Sequence, residues 1–455
     1  MQTGMTAGRE GEDATQVVVV GAGAAGLAAA RELCAAGVGT LVLEARGRVG
    51  GRIHTLHDAA SPVPVELGAE FIHGKARELW EVVERARLAA CDVSERHWHL
   101  ERGGSLAESG EFWRRIEKVF RAMKEDGRDL PFSEFVAGRC DDETAREAAT
   151  LYVEGFHAAH AERAGTRGLV LAEQASESVE GDSSFRVLAG YSRVAEWLNR
   201  EVGALGGRVL LETAVREIRW GRGRVEVFAR RGGEEVVYAA TRAVVTLPLG
   251  VLQASPGEEG AVRFSPELRE KLDAARRLEM GQAVRVALRF RTRFWESLRR
   301  PARGADDESF AGLGFLHASG AAVPTWWTQL PVRAPLLVGW AGGPRAESFA
   351  GRGSELLTTR AVESLSGALG VARADVEREL EAAYTHDWRA DPFSRGAYAY
   401  LPVGGLEAQA RLARPVEATL FFAGEATNSD GHIGTVHGAI ATGQRAAAQV
   451  IESMG

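Results

Sequence analysis

The sequence predicts an α/β protein in which a nucleotide-binding layer of parallel strands and helices is interrupted by insertions. Three observations predict it. A β-branched run, a glycine-rich turn, a helix of small residues and a second strand follow one another between Gln16 and Glu44. A strand and a long helix close the chain between Thr419 and Ser453. Between these ends lie a helical stretch and a block of strand patterns that do not continue the alternation. At roughly 150 residues per domain, 455 residues suffice for two large units or three ordinary ones.

The elements read as follows. Gln16–Val20 is a short β-branched run, the pattern of a buried strand. Ala24–Ala36 is a helix closed by Gly37, and Thr40–Glu44 is the next strand. From about Leu79 to Ala175 the pattern is mostly helical. Arg208–Ile218, Arg224–Ala229 and Glu235–Leu247 read as strands joined at Gly221–Gly223 and Gly232–Gly233. Pro266–Arg277 reads as a helix and Ala283–Phe290 as an alternating strand. Glu355–Leu369 and Arg373–Ala383 read as helices, Thr419–Phe422 as a strand and Val436–Ser453 as a closing helix.

Composition excludes several classes. Hydrophobic residues make up 45% and charged residues 26%, which are globular and not disordered, collagenous or coiled-coil values. A net charge of −7 leaves no footprint for nucleic acid or an anionic membrane. Cys34, Cys91 and Cys140 are too few and too scattered for a disulfide framework or a zinc knuckle, so no metal site is expected and a reducing, cytoplasmic setting is. The first 14 residues lack an apolar run, and no anchor follows the last helix, so neither a signal peptide nor a membrane anchor is expected. Ser309–Val332 carries no Asp, Glu, Lys or Arg, but its glycines and prolines make it buried loop and strand. Only four lysines (Lys75, Lys118, Lys124 and Lys271) stand beside 51 arginines, so chemistry that needs an amine has few candidates.

Gly21-Ala22-Gly23-Ala24-Ala25-Gly26 lies between the first strand and the first helix. The first glycine permits the tight turn, the second lets the backbone approach a pyrophosphate, and the third lets helix and strand pack closely. Glu44 ends the second strand 18 residues after Gly26, where an acid accepts hydrogen bonds from ribose hydroxyls. This reading leaves NAD and FAD both open.

The segment that follows, Ala45-Arg46-Gly47-Arg48-Val49-Gly50-Gly51-Arg52, resembles that of glutathione-reductase-type flavoproteins, specifically the flavin amine oxidase family. Leu420–Thr427, with Gly424 and Glu425, and Gly434–Ala439 are similar to the family's C-terminal motifs. Val245–Leu252 is similar to its return to the cofactor domain, and Ala214-Val215 to its adenine-contacting strand. The resemblance runs from about Gln16 to Ile451. It implies a Rossmann-like FAD-binding domain of glutathione-reductase type, at 15–78, 188–265 and 390–455. It also implies an inserted α+β substrate-binding domain, at 79–187 and 266–389. The cofactor residues it implies are Gly21, Gly23, Ala24, Gly26, Glu44, Ala45, Arg46, Gly51, Arg52, Gly68, Ala69, Val215, Gly424, Glu425, Thr435, Val436 and Ala439.

Glu66–Gly74 resembles the segment of polyamine oxidases that passes beside the flavin and places His73 near the substrate amine. Histidine there suits positioning or proton handling. Trp388–Tyr398 matches the family's W-x-x-D-P-[FY]-[ST]-x-G segment. Monoamine oxidases attach the flavin to a cysteine where this chain has Ala397, so non-covalent FAD is expected. Tyr398 matches one wall of the aromatic cage, and Thr435 stands where the other tyrosine would be, leaving the cage half open. Trp388 and the pair Trp326-Trp327 are further wall candidates, although a tryptophan pair is more commonly core. Glu173, Glu177 and Glu180 could draw a polycation, but read first as a solvated helix face.

The main departure is Arg285, where the family carries a lysine that holds a water against flavin N5. A guanidinium is planar, longer and permanently charged. Three roles are open: organising water and charge, binding a substrate carboxylate, or slowing the reaction with oxygen. The resemblance implies oxidation of an amine C–N bond by hydride transfer, with O2 reduced to H2O2, nearest to polyamine oxidases. An L-amino-acid oxidase, a dehydrogenase or desaturase of the same fold, and a catalytically quiet flavoprotein are the alternatives. The partners expected are a small amine and O2, without nucleic acid or membrane, in a monomer or a homodimer.

Overall fold

The strand Val17–Val20, four valines all buried, is the centre of the molecule's parallel sheet. The computed structural model describes residues 15–101, 104–302 and 305–455; the expectation about the first 14 residues lies outside them. Val17–Val20 pairs in parallel with Thr40–Leu43 on one side and Arg242–Val245 on the other. Arg208–Leu210 and Leu420–Phe422 complete a five-stranded, wholly parallel sheet. Its strands are continuous apolar runs because both faces are covered. The helix Ala24–Ala35 covers one face and packs on the C-terminal helix Val436–Glu452. That packing is close: a Cβ on Gly443 would stand 2.1 Å from the Ala25 carbonyl oxygen. On the other face lies an antiparallel meander, Thr213–Gly221, Arg224–Arg231 and Glu234–Ala240, joined in parallel by Arg263–Ser265. Its apolar side chains share a core with Val18, Val20, Leu41 and Leu43.

A second large sheet has nine strands and its own core, which includes Trp98, Leu288, Trp295, Phe310 and Trp326. Ala283–Phe290 lies within it, between Leu336–Gly342 and Leu380–Tyr384. A helical layer, Gly110–Arg121, Phe132–Arg139, Glu143–Gly155 and Thr166–Ser178, forms a third cluster. The whole is a mixed α/β fold. Among the described residues no helix is long and apolar enough to cross a membrane.

Four elements differ from the sequence reading, each for a tertiary reason. The stretch read as helical contains the strands Ala90–Asp92, His97–Leu100 and Leu106–Glu108. They are too short for a periodicity to declare itself, and His97–His99 is held by pairing with Phe315–His317, over 200 residues away. The strand expected over Arg208–Ile218 breaks at Leu211-Glu212, where Glu212 has φ +51° and the chain passes from one sheet to the other. Glu235–Leu247 likewise divides at Thr241 between the two sheets. The helix expected over Arg373–Ala383 ends at Glu379, and Leu380–Tyr384 becomes the edge strand beside Ala283–Phe290.

Candidate active site

The glycine turn has three different constraints. Gly21 has φ +105°, and its missing Cβ would meet Thr246 Oγ1 at 2.8 Å. Around Gly23 a Cβ would meet nothing within 4 Å, so its backbone faces open space. At Gly26 a Cβ would stand 1.9 Å from the Gly21 carbonyl oxygen, so this glycine serves helix–strand packing and does not line the cavity. The arginine-rich loop lies directly alongside, because Gly50 N donates to Ala22 O at 2.8 Å and Gly23 bridges Gly50. Glu44 is buried and accepts from Ala22 N (2.8 Å) and Arg46 N (2.9 Å), which presents its carboxylate at the cradle.

Two of that loop's three arginines bind the C-terminal segments. Arg46 donates to Asp391 Oδ1 at 2.7 Å and Ser394 Oγ at 2.8 Å. Arg52 donates to Ala397 O and Glu425 Oε1, both at 2.8 Å. The other Glu425 oxygen accepts from Gly434 N at 3.0 Å, so one carboxylate joins three segments. Gly434 has φ +76°, and a Cβ there would stand 3.1 Å from the Tyr398 ring. Thr435 caps the last helix: its Oγ1 accepts from Gly438 N and donates to His432 O. That helix therefore presents its positive end beside Tyr398.

Trp388 is buried and donates to Leu67 O at 2.8 Å. Tyr398 donates to Phe156 O at 2.6 Å, and burial pushes its phenol above the ordinary range. His73 lies 3.3 Å from Ser184 Oγ and edge-on to Phe71 and Phe156. Burial pushes it down to about 4, so the ring is neutral across the physiological range. Trp326 is core, as the bland reading had it, whereas its neighbour Trp327 faces the site.

Arg285 is 5% exposed, and its ion partner is a residue the sequence reading did not assign. It pairs with Glu70, donates to Gly68 O at 3.0 Å and lies over the Trp327 ring at 5.2 Å. Glu70 also accepts from Arg186 Nε (2.8 Å) and Trp327 Nε1 (3.1 Å). Burial alone would raise the Glu70 carboxyl, but the two arginines outweigh it and hold it below the usual range. Glu70 stood within the quoted Glu66–Gly74 segment; the signal that could have found it is that a buried arginine needs a buried acid.

Most of these groups open onto one cavity of about 1010 Å³. Of the expected cofactor residues only Gly26 is absent from its walls, and His73, Arg285, Trp388, Tyr398 and Thr435 all line it. The cavity continues past Tyr398 into a distal chamber. One wall there is a column of rings in which His97 stacks on Phe315 at 4.3 Å and His317 on His99 at 4.6 Å. These imidazoles are neutral through burial, with His97 pushed down to about 4 and His99 to about 3. Phe112, Trp113, Tyr152 and Phe156 continue it. Glu117, Glu173, Glu177 and Asp182 also line the cavity. Burial first, then Glu177, Asp182 and Glu117, push the Glu173 carboxyl up. Glu180 is instead exposed, pairs with Lys75 and does not line the cavity. Among the described residues no group of His, Cys, Asp or Glu is arranged to hold a metal ion.

Solved structures share this fold. A putrescine oxidase with putrescine bound has a TM-score of 0.79 at 21% identity, covering 96% of this chain and 99% of that one. Cyclohexylamine oxidase from Brevibacterium oxydans IH-35A has a TM-score of 0.78 at 21% identity, covering 97% and 99%. The profile of the flavin-containing amine oxidoreductases matches residues 24–451, and the chain belongs to that family. The family is one of flavin-containing oxidoreductases that act on amines, which implies a flavin cofactor. Among curated relatives, lysine-specific histone demethylase 1 homolog 2 of Oryza sativa subsp. japonica is 30% identical over 97% of this chain. The chain spans 57% of that relative's own length. Polyamine oxidase 4 of the same plant is 27% identical over 95% of this chain and 87% of its own.

Proposed function

We propose that this protein is an FAD-dependent amine oxidase, nearest to polyamine oxidases, that holds its FAD without a covalent bond. The observation that carries the reading is the single cavity running from the open Gly23 backbone, past Tyr398 and Trp388, to the acids around Glu173. A dinucleotide fits the near end, since Gly23 leaves room for a pyrophosphate and Glu44 offers a carboxylate to a ribose. None of the three cysteines lines the cavity, which supports non-covalent binding. The FAD domain would comprise 15–78, 188–265 and 390–455, and the substrate domain 79–187 and 266–389.

Held by the Gly23 backbone, Glu44 and Glu425, a bound FAD would supply a two-electron hydride acceptor for the amine α-carbon, with O2 as the final oxidant giving H2O2 and water hydrolysing the imine to an aldehyde or ketone. The chain's own residues do the rest. Trp388 and Tyr398, each fixed by a hydrogen bond to a backbone carbonyl, form rigid walls that orient the amine. His73, being neutral, can share a hydrogen bond with a neutral amine without adding a competing charge. The apolar rings around it exclude water and strengthen every polar contact that remains. Beyond them, Glu173 and its neighbours repel one another, and a second ammonium on the same substrate would relieve that repulsion. This favours a diamine or polyamine. The amino-acid oxidase alternative requires an arginine free to take a carboxylate, whereas Arg285 already has one in Glu70.

An anaerobic screen of amines and amino acids tests the reading. Purified protein should be yellow, and its flavin absorbance should bleach with a polyamine and recover with peroxide release on admitting air. A yellow protein that no amine bleaches would sink it.

A further inference from the structure

Beside Gly68, at the cavity wall, lies an ion array drawn from four segments of chain. Glu70 receives Arg285, Arg186 and Trp327 together. Arg186 is anchored further, by donating to Gln329 O at 3.2 Å and Leu330 O at 3.3 Å. Arg285, Glu70 and Arg186 are 5%, 4% and 6% exposed. Arg285 and Glu70 line the cavity, but Arg186 does not. Two guanidiniums and one carboxylate leave one net positive charge there below about pH 7, because a guanidinium does not deprotonate, Glu70 is held ionised, and burial keeps the proton on Glu66, the other acid that feels Arg285. The Arg285 Nε is buried with no partner. Stability does not explain such an array, since apolar packing of the same volume generally does as well. A net charge at low dielectric does act on what fills the cavity beside it.

We propose that Glu70 and Arg186 are positioning residues: together they lock Arg285 against the Gly68 carbonyl and set a net charge of +1 on the cavity wall, which raises the reduction potential of the bound flavin. The proposal rests on the FAD reading above. Arg285 supplies the charge next to the cavity, Glu70 fixes its direction and halves the array's positive charge, and Arg186 keeps that halving from becoming complete neutralisation.

Potentiometric titration of the flavin in purified holoenzyme tests this without turnover. Removing a positive charge with Arg186→Gln should lower the potential, and removing the negative one with Glu70→Gln should raise it. Each shift should amount to at least a tenfold change in the two-electron equilibrium constant, about 30 mV. Arg186→Lys should return the potential to within threefold of wild type. A purely structural array would change melting temperature in these variants and leave the potential alone. Unchanged potentials, or shifts of the same sign in both variants, overturn the proposal. If Glu70→Gln does not fold, the Arg186→Gln and Arg186→Lys pair decides by itself. A colourless wild-type protein would instead overturn the FAD reading.

Discussion

Two walls of the cavity are built on different rules. At the cradle the constraints act on the backbone: Gly21 needs its positive φ, and Gly23 and Gly26 differ in what a methyl group would strike. They lie within six residues of one another. At the Arg285 wall the constraints act on charge, and the partners of Glu70 are 116, 215 and 257 residues away in the chain. The first rule leaves a local mark that a reader of sequence can recognise. The second leaves residues scattered along the chain whose relation exists only in the fold. The difference also separates packing from binding within one motif, since Gly26 touches only protein while Gly23 faces the cavity.

The largest effects should come from the cradle. Gly26→Ala drives a Cβ into the Gly21 carbonyl, and a loss of about 3 kcal/mol with loss of flavin is expected, measured by chemical denaturation and absorbance. Gly23→Ala should break the comparison the other way, leaving the melting temperature of the flavin-free protein unchanged while abolishing flavin retention. If both variants lose stability equally, the division of labour between the two glycines is wrong.

Next is Glu66, which accepts from Tyr191 N and Thr55 Oγ1, both at 2.7 Å, and which burial pushes up from 4.5 to about 7. An acid with a raised folded value keeps its proton while the unfolded chain has lost it. Stability therefore falls as pH rises from about 4.5 to about 7 and is level beyond, a loss of about 3 kcal/mol. Glu66→Gln should remove that slope, and urea denaturation at pH 5 and pH 8 would detect it. An unchanged slope would mean that Glu66 is ionised in the fold.

Smaller effects test the distal chamber. Glu173→Gln should raise KM for a diamine about tenfold, about 1.4 kcal/mol, and leave a monoamine nearly unaffected. Equal effects on both substrates would move the second amine elsewhere. Tyr398→Phe removes the bond to Phe156 O and should cost about 1 kcal/mol of stability, with kcat falling and the flavin retained. A variant with normal kcat would reduce Tyr398 to packing.

Residues that answer to their neighbours in sequence were legible, and those that answer to distant ones were not. The parallel strands and both terminal helices could be read because valine runs, small-residue faces and glycine breaks are local signals. Glu44, Arg52, Tyr398 and Glu425 all line the cavity; the glycine motif pointed to Glu44, and the resemblance alone to the other three. The strand His97–Leu100 was hidden because its stabilising partner is Phe315–His317. Glu173 read as a solvated face because helical spacing cannot say that Glu117 and Asp182 approach from other elements.

By itself the sequence determined the cradle, the order of the elements around it, and the unusual arginine at position 285. Each follows from short-range sterics or from a residue's own chemistry. Only the tertiary structure decided what that arginine is paired with. An isolated guanidinium at this position could serve water, substrate or nothing. Burial makes its charge costly, and a buried charge is defined by the groups that compensate it. Here Glu70, just before the strand Phe71–His73, and Arg186, on the strand Ser184–Val187, are brought together only by the folded chain.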